Sequence, residues 1–325
     1  MLIKTHNHRR YCLNADSMIS SSFPFTFSII FLLLTMNATT MAQIPEHSRN
    51  IFPEGTTSYQ NIPYANDTLK KHLLDIYLPA KAKKNMPLII WVHGGAWMLN
   101  DKYADMGYMK NTIRAILQKG YALASIDYRH STTAIFPAQI QDCNQAVQFL
   151  YDNAAKYGFD KDRFGLIGFS AGGHLASLLA LSNDQTVPSF YHNGKKPSFK
   201  IKTVLDFYGP SDFSLFFGSS MPSDVDNPIC ILLGSSPLVR PDLSALASPV
   251  TYVNKGDPSF FIVHGEKDND VPPAQSHLLK GYLDLAQVAN ELTIVKGAPH
   301  FGEMFDTESV KISLMKFLEK NLPVD

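Results

Sequence analysis

Cysteine is scarce in this sequence, with three among 325 residues. So few thiols cannot form a disulfide framework in a chain this long. Cys12 lies in the N-terminal leader discussed below. Cys143 falls inside a helical pattern and reads as a small buried apolar residue, not a nucleophile. A charge excess of either sign is also missing, because 29 basic residues face 29 acidic ones. No basic stripe with interleaved aromatics is present, so no nucleic-acid partner is expected. There is no internal repeat and no low-complexity tract. The metalloprotease pattern H-E-x-x-H is absent, and no metal-ligand spacing links His93, His174, His264 and His300. Neither a metal nor a cofactor is therefore expected. Long hydrophobic runs are missing too. The apolar stretch at residues 25–34, with Pro24 at its front edge, is short for a membrane span.

That stretch has another use. Lys4, Arg9 and Arg10 precede it, and small and polar residues ending Thr40-Met41-Ala42-Gln43 follow it. A basic start, a short apolar core and a small-residue exit describe a secretory signal peptide. Residues 1–42 are read as the leader and 43–325 as the mature domain, secreted or periplasmic, with no stable membrane span after processing. Met18 is an alternative start, which would omit the basic residues. An uncleaved anchor is the competing reading. The N-terminus of the exported protein decides between them. No cysteine follows the apolar stretch at its exit, so a lipid anchor is not supported. The mature chain carries a net charge of about −2.

Beyond the leader the hydrophobic pattern alternates between strands and helices. Residues 59–65 and 72–78 read as an opening pair of strands. Apolar runs at 88–92, 122–126, 164–167, 201–207, 260–263 and 292–295 read as buried strands. Helical spacing covers 106–119, 138–157, 173–181, 273–287 and 307–321, with Gly120 and Gly158 closing the first two. Near-continuous apolar strands alternating with helices imply α/β architecture, a mostly parallel sheet covered on both faces. Residues 210–249 have few periodic signals, many Ser and Pro, and Phe213, Phe216 and Phe217. They read as a short cap over the sheet edge and as a source of substrate contacts.

Chemistry concentrates in the loops after the strands. Gly168-Phe169-Ser170-Ala171-Gly172 lies at a strand-to-helix turn. Ser170 between two glycines is the pattern of a nucleophile elbow, in which side chains on the flanking positions would block a sharp turn. A hydroxyl needs a base, and the base needs an acid to orient it. Asp268 and Asp270 follow the strand at 260–263, and His300 follows the strand at 292–295. Asp268 is the preferred acid, and Asp270 is read as a brace for the helix beyond it. His300 is the candidate base. Gly94-Gly95-Ala96 follow the strand at 88–92, where backbone N–H groups can face a substrate. Gly95, Ala96 and Ala171 are the candidate oxyanion donors. His93 and His174 are read as structural hydrogen-bonders.

With these pieces assembled, the chain resembles the α/β-hydrolases of the esterase/lipase group. Its closest likeness is to the bifunctional feruloyl and acetyl xylan esterases. The matching stretches include His93-Gly94-Gly95-Ala96-Trp97, Asp127-Tyr128-Arg129, Gly168 to Ala176, Gly209-Pro210-Ser211-Asp212, Ala247-Ser248-Pro249-Val250, His264-Gly265 through Asp268, and Gly297-Ala298-Pro299-His300. Pro299 departs from the glycine often found in relatives before the catalytic histidine. The resemblance implies a Ser170–His300–Asp268 triad and an ester substrate, with acetyl or feruloyl groups on plant polysaccharide as the class. The same motifs occur in arylformamidases and in peptidases related to prolyl oligopeptidase, so amide hydrolysis is the alternative. A non-catalytic carbohydrate-binding scaffold is the third reading, disfavoured because both Ser170 and His300 are present.

Overall fold

The computed structural model describes residues 50–216 and 226–325. The leader expectation and Phe217 of the cap lie outside them. One eight-stranded sheet organises the described chain, in the order β1-β2-β4-β3-β5-β6-β7-β8. The strands are β1 (Thr57–Pro63), β2 (Leu73–Leu78), β3 (Met86–Val92), β4 (Ala122–Ile126), β5 (Phe159–Phe169), β6 (Ile201–Phe207), β7 (Ser259–Gly265) and β8 (Asn290–Val295). β2 runs antiparallel to β1 and β4, and every other pairing is parallel.

Alternation in β3 shows why both faces must be covered. Leu88, Ile90 and Val92 pack into one core layer, and Ile89 and Trp91 into the other. The first layer meets α2 (Ala138–Asp152), α4 (Ala171–Ser182) and α7 (Ala274–Leu285) through Ile140, Cys143, Val147, Leu175, Leu179 and Leu279. The second meets α1 (Lys110–Lys119) and α8 (Glu308–Asn321) through Ile113, Ile116, Leu314 and Phe317. Each such side chain contributes roughly 1.5–3 kcal/mol on full burial.

Local structure departs from the hydrophobic pattern in a few places. The helical spacing expected from residue 106 becomes turns up to Tyr108, and α1 starts at Lys110, where Asp306 takes the Asn111 and Thr112 amides. The helix expected over 138–157 is interrupted at Asn153, whose side chain donates back to the Phe149 carbonyl. A short α3 (Ala154–Tyr157) follows it. The 210–249 segment contains α5 (Pro228–Leu233) and α6 (Pro241–Ala247), too short for periodicity to reveal. Among the described residues, no helix is long and apolar enough to cross a membrane.

All parallel strands point their carboxyl ends the same way. The loops after β3, β5, β6, β7 and β8 therefore gather at one edge, where ligands of open α/β sheets bind.

Candidate active site

Ser170 ends β5 and begins α4 with a backbone φ of 52° and ψ of −117°. Such a conformation costs a non-glycine residue on the order of 1–3 kcal/mol. Close packing holds it there. A Cβ on Gly168 would lie 2.2 Å from the Gly172 carbonyl oxygen, and one on Gly172 would lie 2.1 Å from that of Val92. The Ser170 N–H donates to the Phe207 carbonyl at 2.9 Å, tying the turn to β6.

Three loops then converge. His300 Nε2 lies 2.8 Å from Ser170 Oγ. His300 Nδ1 lies 2.6 Å from Asp268 Oδ2. Asp268 Oδ1 accepts from the amides of Asp270 and Val271, both at 2.9 Å. Asp268 is buried, and burial alone would raise its pKa. Hydrogen bonds from His264 and His300, with the Val271 amide, outweigh burial and hold the carboxylate below its usual range. Asp270 is exposed on the cavity wall, and the carboxylate hydrogen-bonded to His300 is that of Asp268. The residue preceding α7 is Pro273, with no side-chain cap.

The loop after β3 supplies the donors. Gly95, Ala96 and Trp97 all have positive φ, at 119°, 52° and 59°. A Cβ at Gly95 would meet the Leu99 carbonyl oxygen at 2.5 Å, so only glycine fits. Among the described residues, no protein acceptor takes the N–H of Gly95, Ala96 or Ala171. Ala171 is the first residue of α4, where a helix leaves its amides open and carries partial positive charge. A tightly turned loop and a helix N-terminus thus offer donors beside the Ser170 hydroxyl.

His174, His93 and His264 are buried in structural contacts. Burial lowers the pKa of His174 to about 4, against a raising hydrogen bond to the Ala247 carbonyl. The Trp97 indole donates to its Nδ1 at 3.1 Å, so the proton sits on Nε2, 2.7 Å from that carbonyl. Burial likewise lowers His93 to about 3. Its Nδ1 contacts the Gly94 carbonyl at 2.7 Å, and its ring stacks on Tyr128 at 4.3 Å. His264 is buried between Ser276 Oγ at 2.6 Å and the Val271 carbonyl at 2.8 Å, with Asp268 Oδ2 3.1 Å away. Asp268, Asp270 and His300 can bring one donor atom each within 4.8 Å of one another. Both oxygens of Asp268 already take N–H donors there.

Some supporting residues have a role that the sequence alone does not assign. The Asp127-Tyr128-Arg129 stretch braces the loop after β3 from below. Tyr128 donates to the His93 carbonyl at 2.9 Å. Asp127 accepts from the Lys102 amide at 3.1 Å and from Lys71 Nζ at 3.0 Å. Arg129 forks onto Asp142 of α2, with Nη2 to Oδ1 at 2.6 Å. Asp105, Tyr108 and Tyr208 also face the cavity. Their only sequence signal is position, just after the glycine loop or at the end of a strand.

The cavity holds about 660 Å³ and opens between the glycine loop, Ser170, His300 and the residues Pro210, Phe216 and Asn227 to Ile229. Trp97, Tyr208, Phe216, Ile229, Val271 and Phe301 give it apolar walls, with polar contributions from Asn100, Asp105, Asn227 and Asp270.

Strand order, elbow and loop chemistry define the α/β-hydrolase fold. The comparisons narrow this further. Residues 74–283 match the family model described as BD-FAE, and the chain belongs to that family. It is 33% identical to a truncated carbohydrate esterase from gut microbiota, with a TM-score of 0.76, covering 82% of this chain and 97% of that one. A bifunctional GH43-CE protein of Bacteroides eggerthii is also 33% identical, with a TM-score of 0.74, over 82% of this chain and 35% of that one. Esterase LipQ of Mycobacterium tuberculosis is 32% identical over 227 residues, 69% of this chain and 52% of that protein. The chain spans only about half to three-fifths of the length of curated relatives it matches.

Proposed function

We propose that this chain is a secreted serine carboxylic-ester hydrolase that removes acetyl or feruloyl groups from plant polysaccharide. The contacts at 2.8 Å between Ser170 and His300, and at 2.6 Å between His300 and Asp268, carry this reading. Ser170 Oγ attacks the ester carbonyl while His300 Nε2 takes its proton. Asp268 holds the imidazole tautomer through Nδ1 and stabilises the cation that forms. The amides of Gly95, Ala96 and Ala171 receive the oxyanion, each worth about 3 kcal/mol in the transition state. The tetrahedral species collapses, and the alcohol leaves with the proton from His300. Water, deprotonated by His300, then attacks the acyl-Ser170 ester. The free acid departs and Ser170 is restored.

Three observations support the substrate class. The family is shared, the solved carbohydrate esterase is 33% identical over nearly its whole length, and the cavity is wide and apolar enough for an aromatic acyl group. Export through residues 1–42 belongs to the same reading and fits a polymeric substrate. Ser170→Ala is expected to lower the turnover of a short acyl nitrophenyl ester by several orders of magnitude. Near-normal turnover in that variant ends the proposal. Release of acetate or ferulate from a panel of native polysaccharides tests the substrate class.

A further inference from the structure

The amide edge of the glycine loop is anchored from outside the loop. The N–H of Gly94 donates to Asp105 Oδ2 at 2.8 Å. The carbonyl of the same residue faces His93 Nδ1 at 2.7 Å and accepts from Asn100 Nδ2 at 3.4 Å. Both ends of Gly94 are therefore fixed, and the N–H groups of the next two residues are left to face the cavity. Asp105 is held in turn. Its Oδ1 accepts from the Tyr108 hydroxyl at 2.5 Å. Tyr108 has spent its proton there, so the Tyr208 hydroxyl, 2.8 Å away, is the donor between the two phenols. The Tyr208 ring packs on His300 at 4.8 Å between centroids. Tyr108 also sets its edge against Phe169, the residue before Ser170, at 6.4 Å. A continuous chain of contacts thus joins the imidazole on one side of Ser170 to the amides on the other.

Backbone conformation marks the same residues. Asp105 and Tyr208 both have left-handed φ, 68° and 47°. Asp tolerates that region through its short polar side chain; Tyr does not do so readily. Packing over-determines both positions.

We propose that Asp105 is a positioning residue for the oxyanion loop, held by the Tyr108–Tyr208 phenol pair. The proposal rests on the esterase reading above. Asp105 takes no part in bond making. It fixes the plane of the Gly94 peptide, so that the Gly95 and Ala96 amides stand ready for negative charge that develops only in the transition state. Burial raises the Asp105 pKa, against lowering by Tyr108, the Gly94 amide and His300.

The test is steady-state kinetics on a short acyl nitrophenyl ester, per titrated active site for Asp105→Ala, Asp105→Asn and Tyr108→Phe and per mole of protein for Ser170→Ala. A trifluoromethyl ketone, which forms an oxyanion adduct with serine, is titrated in parallel with all but the last. Asp105→Ala is expected to lower kcat by about 10–100-fold with KM little changed, somewhat less than deleting an oxyanion donor outright. Ketone affinity is expected to fall by the same factor as kcat/KM. Asp105→Asn keeps an acceptor for Gly94 and is expected to recover much of the loss, and Tyr108→Phe to show a smaller loss of the same kind. A lowered unfolding midpoint with unchanged kcat per active site and unchanged ketone affinity overturns the proposal. If Asp105→Ala does not fold, Asp105→Asn and Tyr108→Phe decide by the same two readouts. Full activity in Ser170→Ala would instead defeat the esterase mechanism itself, whatever the Asp105 variants do.

Discussion

Asp268 carries the heaviest electrostatic load of any single residue in the site. It accepts from two backbone amides and from His300, and His264 lies 3.1 Å away. Asp268→Asn keeps the shape but turns a donor towards His300 Nδ1, which then presents the wrong tautomer to Ser170. Turnover is expected to fall by roughly three to four orders of magnitude. The same variant has a stability signature. The folded-state pKa of Asp268 lies below its unfolded value. Its contribution is therefore present above about pH 4 and is lost as pH falls towards the folded value. Urea titrations should show the stability gap between wild type and Asp268→Asn narrowing from about pH 7 to about pH 3. At Gly172 the constraint is steric. An added Cβ would meet two backbone oxygens, those of Val92 and His93, at 2.1 and 2.4 Å. Neither can swing away. Gly172→Ala is expected to cost about 3 kcal/mol or more in chemical denaturation, beyond ordinary overpacking. The elbow glycines were legible from sequence because the turn demands them locally. Asp105 was not, since its partners Gly94, Tyr108 and Tyr208 acquire meaning only when strands β3 and β6 lie in one sheet.

At the scale of elements, the antiparallel edge is fastened to a helix by an imidazole. His72, just before β2, is buried with Nδ1 2.6 Å from Asp67 and Nε2 3.2 Å from Asp142 of α2. Burial alone would lower its pKa, but the hydrogen bonds and charges of Asp142 and Asp67 outweigh this and raise it. A raised folded-state pKa stabilises below the unfolded value of about 6.5, and the effect is lost as pH rises through the folded value. His72→Gln is therefore expected to destabilise more at about pH 6 than at about pH 9, read as a shift in urea midpoint. Most elements were visible in the hydrophobic pattern because both faces of the sheet are buried and each strand is a continuous apolar run. Their ends were less visible. β5 runs eleven residues from Phe159, although its first part is polar and half-exposed. A single pairing of Phe159 with Met86 of β3 anchors that start, with a register shift before pairing resumes at Phe164.

Across the whole molecule, a buried ionic cluster ties the β1–β2 edge to the loop that carries the oxyanion donors. Lys102 is 4% exposed. Its Nζ donates to Asn61 Oδ1 at 2.9 Å and lies 3.7 Å from both Asp75 and Asp127. Removing the cation leaves buried Asp75 without a charged partner and leaves Asp127 with Lys71 alone. Lys102→Ala is expected to cost about 3–5 kcal/mol in chemical denaturation. The same variant should loosen the glycine loop, since the Lys102 amide also donates to Asp127.

By itself the sequence determined the order of strands and helices, the elbow at Ser170 and the Ser, Asp, His succession along the chain. These follow from local causes: apolar periodicity, a turn that tolerates only glycine, and loops placed after strands. Only the tertiary structure decided the distances among Ser170, His300 and Asp268, the exposure of Asp270, and the phenol pair behind the glycine loop. Those depend on successive strand pairings that bring residues as far as 130 positions apart into contact, and no short-range pattern in the chain encodes such separations.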